Sequence, residues 1–182
     1  MALVLKKPVV MVGMMGAGKT AVGRALAQRL DVPFFDSDAE IERAAAMSVA
    51  EVFERDGEAF FREREAEVIA RLLATGLAVL STGGGSYLRA ENRALIREKG
   101  VAVWLRADLD LLWERVRRKT SRPLLRTADP KATLAELYAA RVATYARAEL
   151  VVDAHPAYSV QDMAAQVVRV LATRPDVLAG AK

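Results

Sequence analysis

Two hydrophobic periods alternate along the chain. Lys7-Pro-Val-Val-Met-Val-Gly13 holds an unbroken apolar run short enough for a buried strand, and Thr20 to Leu30 has the spacing of an amphipathic helix. The succession then repeats. Pro33-Phe-Phe-Asp36 predicts a short second strand ending in an acid. Asp38 to Ala46 and Ser48 to Arg55 predict short helices, with Ser48 and Glu51 placed for a capping box. Gly57 to Ala74 predicts a longer helix, Leu77 to Ser81 a third strand, and Gly83-Gly-Gly85 a break in regular structure. A helix near Ala90 to Lys99 leads to a strand over Val101 to Leu105. Asp108 can cap the next helix, which extends to the neighbourhood of Arg118. Arg118 to Pro130 is polar, basic and interrupted by Pro123, a loop of the length that often serves as a lid. Lys131 to Arg147 reads as helix, Leu150 to Asp153 as a final strand, and Val160 to Ala172 as the last helix. Arg174 to Lys182 reads as a frayed tail.

Strands that alternate with helices call for crossover connections and a parallel sheet, so the fold class is α/β. A chain of 182 residues can bury roughly 70% of its unfolded surface, enough for a real core. No internal repeat or linker divides it, so residues 1–182 are expected to form one domain.

The turn between the first strand and the first helix carries the chemistry. Gly13-Met14-Met15-Gly16-Ala17-Gly18-Lys19-Thr20 is a complete G-x-x-x-x-G-K-[ST] sequence in its strand–loop–helix context. Successive backbone N–H groups in such a loop form a concave anion site, and the helix dipole adds positive charge to it. Lys19 would reach the β- and γ-phosphates, and the Thr20 hydroxyl would ligate Mg²⁺. The looser pattern Gly16-x-Gly18-x-x-Ala21, with Asp36 downstream, also fits a dinucleotide fingerprint. A pyrophosphate gripped by backbone alone, however, gives Lys19 and Thr20 no role. The motif therefore implies a nucleoside triphosphate with Mg²⁺.

Composition narrows the partners. The net charge of +4 invites a nucleic-acid reading, but the arginines are scattered among glutamates on helices, as in Arg62-Glu-Arg-Glu65, and no aromatic-plus-basic RNA signature occurs. Arginine forks suit phosphates and carboxylates of a small acidic substrate better. The absence of cysteine excludes a disulfide scaffold and is compatible with a reducing cytosol, so a cytoplasmic location is expected. Lys6-Lys7 ahead of an apolar run has the outline of a signal peptide, yet Lys19 falls too early for one. No apolar stretch approaches the roughly 18 residues that a membrane span needs.

In open α/β sheets ligands bind at the carboxyl ends of the strands. Gly13 to Thr20, Asp36 with Asp38, and Gly83 to Gly85 all fall there. If Asp36 and Asp38 share an extended segment, one carboxylate faces Mg²⁺ and the other a substrate hydroxyl; either can instead cap the following helix. Arg62 has Glu58 and Glu65 at i−4 and i+3, the spacing of ordinary helix ion pairs.

Six segments in order, Gly13 to Thr20, Asp36-Ser-Asp38, Phe61-Arg62-x-x-Glu65, Leu80-Ser-Thr-Gly-Gly-Gly85, Arg122-Pro-Leu-Leu125 and Arg141-x-x-x-Tyr145, resemble the shikimate kinase family over roughly residues 8 to 170. The resemblance implies a three-layer P-loop kinase fold with helices on both faces of a five-stranded parallel sheet in the order 2-3-1-4-5, and a lid. It implies phosphoryl transfer from ATP to the 3-hydroxyl of shikimate by a monomer that binds neither nucleic acid nor membrane. It divides the domain into a shikimate-binding segment over about residues 36–64 and a lid over about 118–130.

Carried onto this chain, the resemblance makes Asp38 the acid that contacts the substrate hydroxyls and serves as general base. Asp36 becomes the acid that holds Mg²⁺ through water. Arg62 and Arg141 become the clamp on the shikimate carboxylate, with Gly83, Gly84 and Gly85 lining the pocket. Arg122 becomes the lid arginine of the closed site, and Arg118 the residue stacking on adenine. Ala154-His-Pro-Ala-Tyr158 aligns with no family motif. Tyr145 is expected to buttress Arg141, and Trp104 and Trp113 to belong to the core. A regulatory GTPase is disfavoured, because its Asn-Lys-x-Asp motif is missing: Asn92 is the sole asparagine and Arg93 follows it. A gluconate or nucleotide kinase on the same fold is the nearer alternative.

Overall fold

A computed structural model describes residues 2–118 and 125–181. The central strand, β2 (Val9–Val12), is buried along its whole length, as the unbroken apolar run requires of a strand covered on both faces. It pairs in parallel with β4 (Val79–Ser81) on one side and β5 (Val101–Arg106) on the other. β3 (Phe34–Asp36) and β6 (Leu150–Asp153) form the edges, giving the order β3-β4-β2-β5-β6. Numbered without the short strand that precedes β2, this is the expected 2-3-1-4-5 arrangement, and helices cover both faces.

The helices are α1 (Lys19–Leu30), α2 (Ser37–Ala45), α3 (Val49–Ala74), α4 (Ala90–Lys99), α5 (Leu109–Val116), α6 (Pro130–Tyr145) and α7 (Val160–Leu171). Local signals set their limits. Ser48 caps α3, accepting from the Glu51 N–H at 3.2 Å, and Asp108 caps α5 through the Leu111 N–H at 2.9 Å. α7 opens on a full capping box between Ser159 and Asp162. α3 is interrupted where sequence placed a break: Gly57 has φ 86°, a conformation that costs a residue with a Cβ dearly. Trp104 is buried in the sheet, and Trp113 packs partly buried against the core.

The tail departs from expectation. Arg174 to Ala181 is not frayed. Leu178–Gly180 forms β7, antiparallel to β1 (Leu3–Leu5), with Leu5 opposite Leu178. Lys6 N–H donates to Val177 O and Ala181 N–H to Ala2 O, both at 2.8 Å. Val177 and Leu178 are buried, so apolar packing anchors a segment that looks like a polar terminus.

Parallel register brings the carboxyl ends of β3, β4 and β2 level. Ser81 lies opposite Asp36 on one side and Met11 on the other. Everything that follows a strand on this edge faces the same space.

Candidate active site

After β2 the chain turns through Gly13, Gly16 and Gly18, all at positive φ, and enters α1 at Lys19. Gly16 at φ 82° and Gly18 at φ 94° make a concave turn that side-chain-bearing residues would resist. The loop opens into a cavity of about 800 Å³, with Met15 to Thr20 on one wall. Lys19 is largely buried, and its ammonium donates to the carbonyls of Gly13 at 2.7 Å and Met14 at 2.9 Å. Thr20 donates its hydroxyl to Asp36 Oδ2 at 2.9 Å, with Ser81 Oγ 3.4 Å away. Hydroxyl and carboxylate oxygens are the hard donors that Mg²⁺ takes beside phosphate and water, so Thr20 and Asp36 fit such an ion.

The two acids do not share a strand. β3 stops at Asp36, whose Oδ1 caps α2 by accepting from the Ala39 N–H at 3.1 Å. Asp38 therefore sits in the first turn of α2, and that helical turn, not strand alternation, sends the two side chains to different places. Asp36 faces Thr20. Asp38 reaches Gly83, where its Oδ1 lies 3.0 Å from the point a Cβ would occupy. Burial raises the Asp38 pKa, helped by neighbouring Asp36 and opposed by Lys19 and Arg62.

A second cavity of about 140 Å³ adjoins the first. Its wall is the run Gly83-Gly84-Gly85, and each glycine receives a different charged group. At Gly83 these are Asp38 and Glu65. At Gly84 a Cβ would lie 3.2 Å from Arg141 Nη1 and 3.6 Å from the Tyr145 hydroxyl. At Gly85 a Cβ would collide with the Arg62 guanidinium. The triple glycine thus admits two cations and two acids onto one stretch of backbone. Tyr145 donates its hydroxyl to Gly84 O and sits beside buried Arg141, which fits the buttressing expected of it. Phe53 and Phe61 supply an apolar side, their rings 4.5 Å apart, with the Arg62 guanidinium 5.9 and 5.2 Å from the two centroids.

The ion pairs expected of Arg62 are present. It pairs with Glu65 at 2.9 Å and with Glu58 at 3.7 Å, and it also lines the cavity. Arg141 joins it there from α6. Arg118 stands exposed beyond the end of α5, while Arg122 lies outside the described residues, as do residues 119–124 of the expected lid.

Three groups escaped the sequence reading as parts of the site. Glu65 looked like half of a surface ion pair, yet it is 1% exposed and its pKa is pushed up to about 7 by burial, against the pull of Arg62. Arg115, on α5, lines the larger cavity and donates to the phosphate loop. Tyr158, Ser159, Val160 and Met163 close the far wall from the start of α7; Tyr158 lies 4.9 Å from His155 between ring centroids. No local signal in the sequence places Ser159 beside the phosphate loop, which lies near the other end of the chain.

A phosphate loop that opens onto a neighbouring pocket for a second molecule defines a small-molecule kinase of the P-loop class. The shikimate kinase family model matches residues 15–172, and the chain belongs to the shikimate kinase family. It is 65% identical over 177 residues to the shikimate kinase of Ruegeria pomeroyi, covering 97% of this chain and 91% of the relative. Identity to the Cereibacter sphaeroides shikimate kinase is 62% over 174 residues, covering 96% and 87%. Among solved structures, shikimate kinase from Acinetobacter baumannii in complex with shikimate superposes with a TM-score of 0.87 at 36% identity, covering 92% of this chain and 93% of that one. The chain is an ATP-using phosphotransferase.

Proposed function

We propose that this chain transfers the γ-phosphoryl group of ATP to the 3-hydroxyl of shikimate, giving 3-phosphoshikimate and ADP. One observation carries the reading: Met15, Asp38, Gly83 and Gly84 line both cavities, so the phosphate site and the pocket with two arginines share a wall. Asp38 stands at the junction, where an acceptor hydroxyl meets the end of a triphosphate.

Phosphoryl transfer depends on positioning and charge neutralisation more than on covalent chemistry. Arg62 and Arg141 would clamp the substrate carboxylate, since planar guanidinium forks bind carboxylates bidentately. Phe53 and Phe61 would lie against its carbon ring. Asp38 would orient the attacking hydroxyl and accept its proton. Gly13 to Lys19 would hold the triphosphate. Thr20 and Asp36, the latter through water, would hold Mg²⁺, which when bound offsets phosphate charge. Arg122 is given the neutralising role of the family's lid arginine, and Arg118 the adenine-stacking one, by their positions in the sequence.

The test is a coupled ADP-release assay at saturating Mg-ATP with shikimate, gluconate and nucleoside monophosphates offered in turn. Shikimate should give turnover well above the ATPase background and the others little. Turnover with gluconate or a monophosphate, and none with shikimate, would move the assignment to the alternative acceptor.

A further inference from the structure

The three glycines of the smaller cavity run on into a single helical turn, Ser86–Leu88, and then into α4. Every carbonyl from Gly83 to Leu88 meets a donor from the protein. Gly83 O takes the Ser86 N–H at 3.1 Å and the Ser86 hydroxyl at 2.8 Å. Gly84 O takes the Tyr145 hydroxyl, and Gly85 O the Leu88 N–H at 3.2 Å. Ser86 O accepts from Asn92 Nδ2 at 2.9 Å. Tyr87 O and Leu88 O both accept from Arg93 Nη1, at 2.8 and 2.7 Å.

Within this set Asn92 and Ser86 form a buried polar chain. Asn92, on the first turn of α4, is 2% exposed and Ser86 is 0% exposed. Their bonds run from α4 through Ser86 to Gly83, where the wall has least room. Asp38 and Glu65 lie against Gly83, Arg141 Nη1 against Gly84 and the Arg62 guanidinium against Gly85. A carbonyl of this stretch deprived of its donor seeks another, because a buried C=O left unpaired is costly. The guanidinium groups of Arg62 and Arg141 already lie against the same backbone. A donor that they give to the wall is lost to a substrate carboxylate.

We propose that Asn92 is a positioning residue for the acceptor. Through Ser86 it holds the carbonyls of the glycine wall in place, which leaves the two arginines to the substrate. This rests on the shikimate reading above. The test uses the full chain with Asn92→Leu and Asn92→Ala, which lack the donor but differ in bulk. Ser86→Ala removes the next hydroxyl, and a combined Asn92→Leu, Ser86→Ala variant joins the two changes. Leu178→Ala, in the β1–β7 pair, is the control for lost stability alone. Shikimate binding is measured by calorimetry, both KM values by the coupled assay, and melting temperatures for every variant.

Both Asn92 variants should weaken shikimate binding and raise its KM about five- to tenfold, the scale of one net hydrogen bond. The ATP KM should stay within about twofold of the unaltered protein. Ser86→Ala should act in the same direction, and the combined variant should lose little beyond the larger single loss, since both act through one chain of bonds. Leu178→Ala should melt lower with an unchanged shikimate KM. An unchanged shikimate KM in whichever Asn92 variant folds overturns the proposal. So do fully additive losses in the combined variant, which would separate Asn92 from Ser86. A parallel rise in both KM values, or an equal rise in Leu178→Ala, overturns it in favour of general packing. Failure of the unaltered protein to bind shikimate would instead remove the shikimate reading, and this proposal with it.

Discussion

Asp38 and Glu65 face each other across Gly83, with Asp38 Oδ1 3.0 Å and Glu65 Oε2 3.2 Å from the point where a Cβ on that glycine would sit. Both oxygens are buried and neither has a hydrogen-bond partner among the described residues. Two unsatisfied buried carboxyl oxygens at one point of backbone cost stability, the kind of cost that functional sites carry. On the function proposed above, they would be acceptors for a polyhydroxylated substrate, with Arg62 and Arg141 as donors.

Asp38→Asn keeps the size of the side chain and removes its ability to take a proton. The kcat should fall by about 10²- to 10⁴-fold, the usual contribution of a general base. The ATP KM should change little, because Thr20, Lys19 and Asp36 remain in place. Steady-state kinetics at saturating Mg-ATP check this, and a near-normal kcat would take Asp38 out of the base role.

Gly85→Ala tests the close approach of Arg62. The added methyl would run into the guanidinium, which is the flexible end of a side chain and can move away. The fold should survive while Arg62 leaves its position over the pocket. Losing one charge-assisted contact to a carboxylate should raise the shikimate KM by about tenfold or more, with the ATP KM unaffected. Unchanged shikimate kinetics would show that Arg62 serves Glu65 alone.

Leu178→Ala addresses the antiparallel pair that closes the chain ends. Leu178 is 1% exposed and sits opposite Leu5. Removing a buried leucine of this kind costs about 2–5 kcal/mol, which denaturant titration should detect as a shifted midpoint. A loss below about 0.5 kcal/mol, the range of surface substitutions, would restore the picture of a loose tail.

What could be read ahead of the structure was what local sequence encodes. Gly13 to Thr20 announces its loop because small residues, lysine and threonine must follow one another for a phosphate to fit. Gly83 to Gly85 announced a break, but its reason lies in Asp38, Glu65, Arg141 and Arg62, contributed by three helices. Asp36 and Asp38 were picked out by position, yet only the cap that ends β3 decides where each points. β1 and β7 pair residues more than 170 positions apart, and Arg115 meets Gly16 across 99. Hydrophobic period is blind to such contacts, because packing between distant elements makes them.

Glu65 makes the site answerable to pH. Burial raises its pKa from 4.5 to about 7, so the folded protein retains a proton that the unfolded chain releases at lower pH. Stability from that proton is complete below 4.5 and is lost as pH rises through about 7. Asp38 is raised in the same sense and adds to the trend at the lower end. Above the window the ionised Glu65 remains paired with Arg62, which limits the loss without reversing its sign. Thermal melts of the protein without substrate should therefore show a fall in melting temperature from pH 5 to pH 8. Glu65→Gln, which cannot ionise, should flatten that slope. Equal slopes for the two proteins would assign the retained proton to another group.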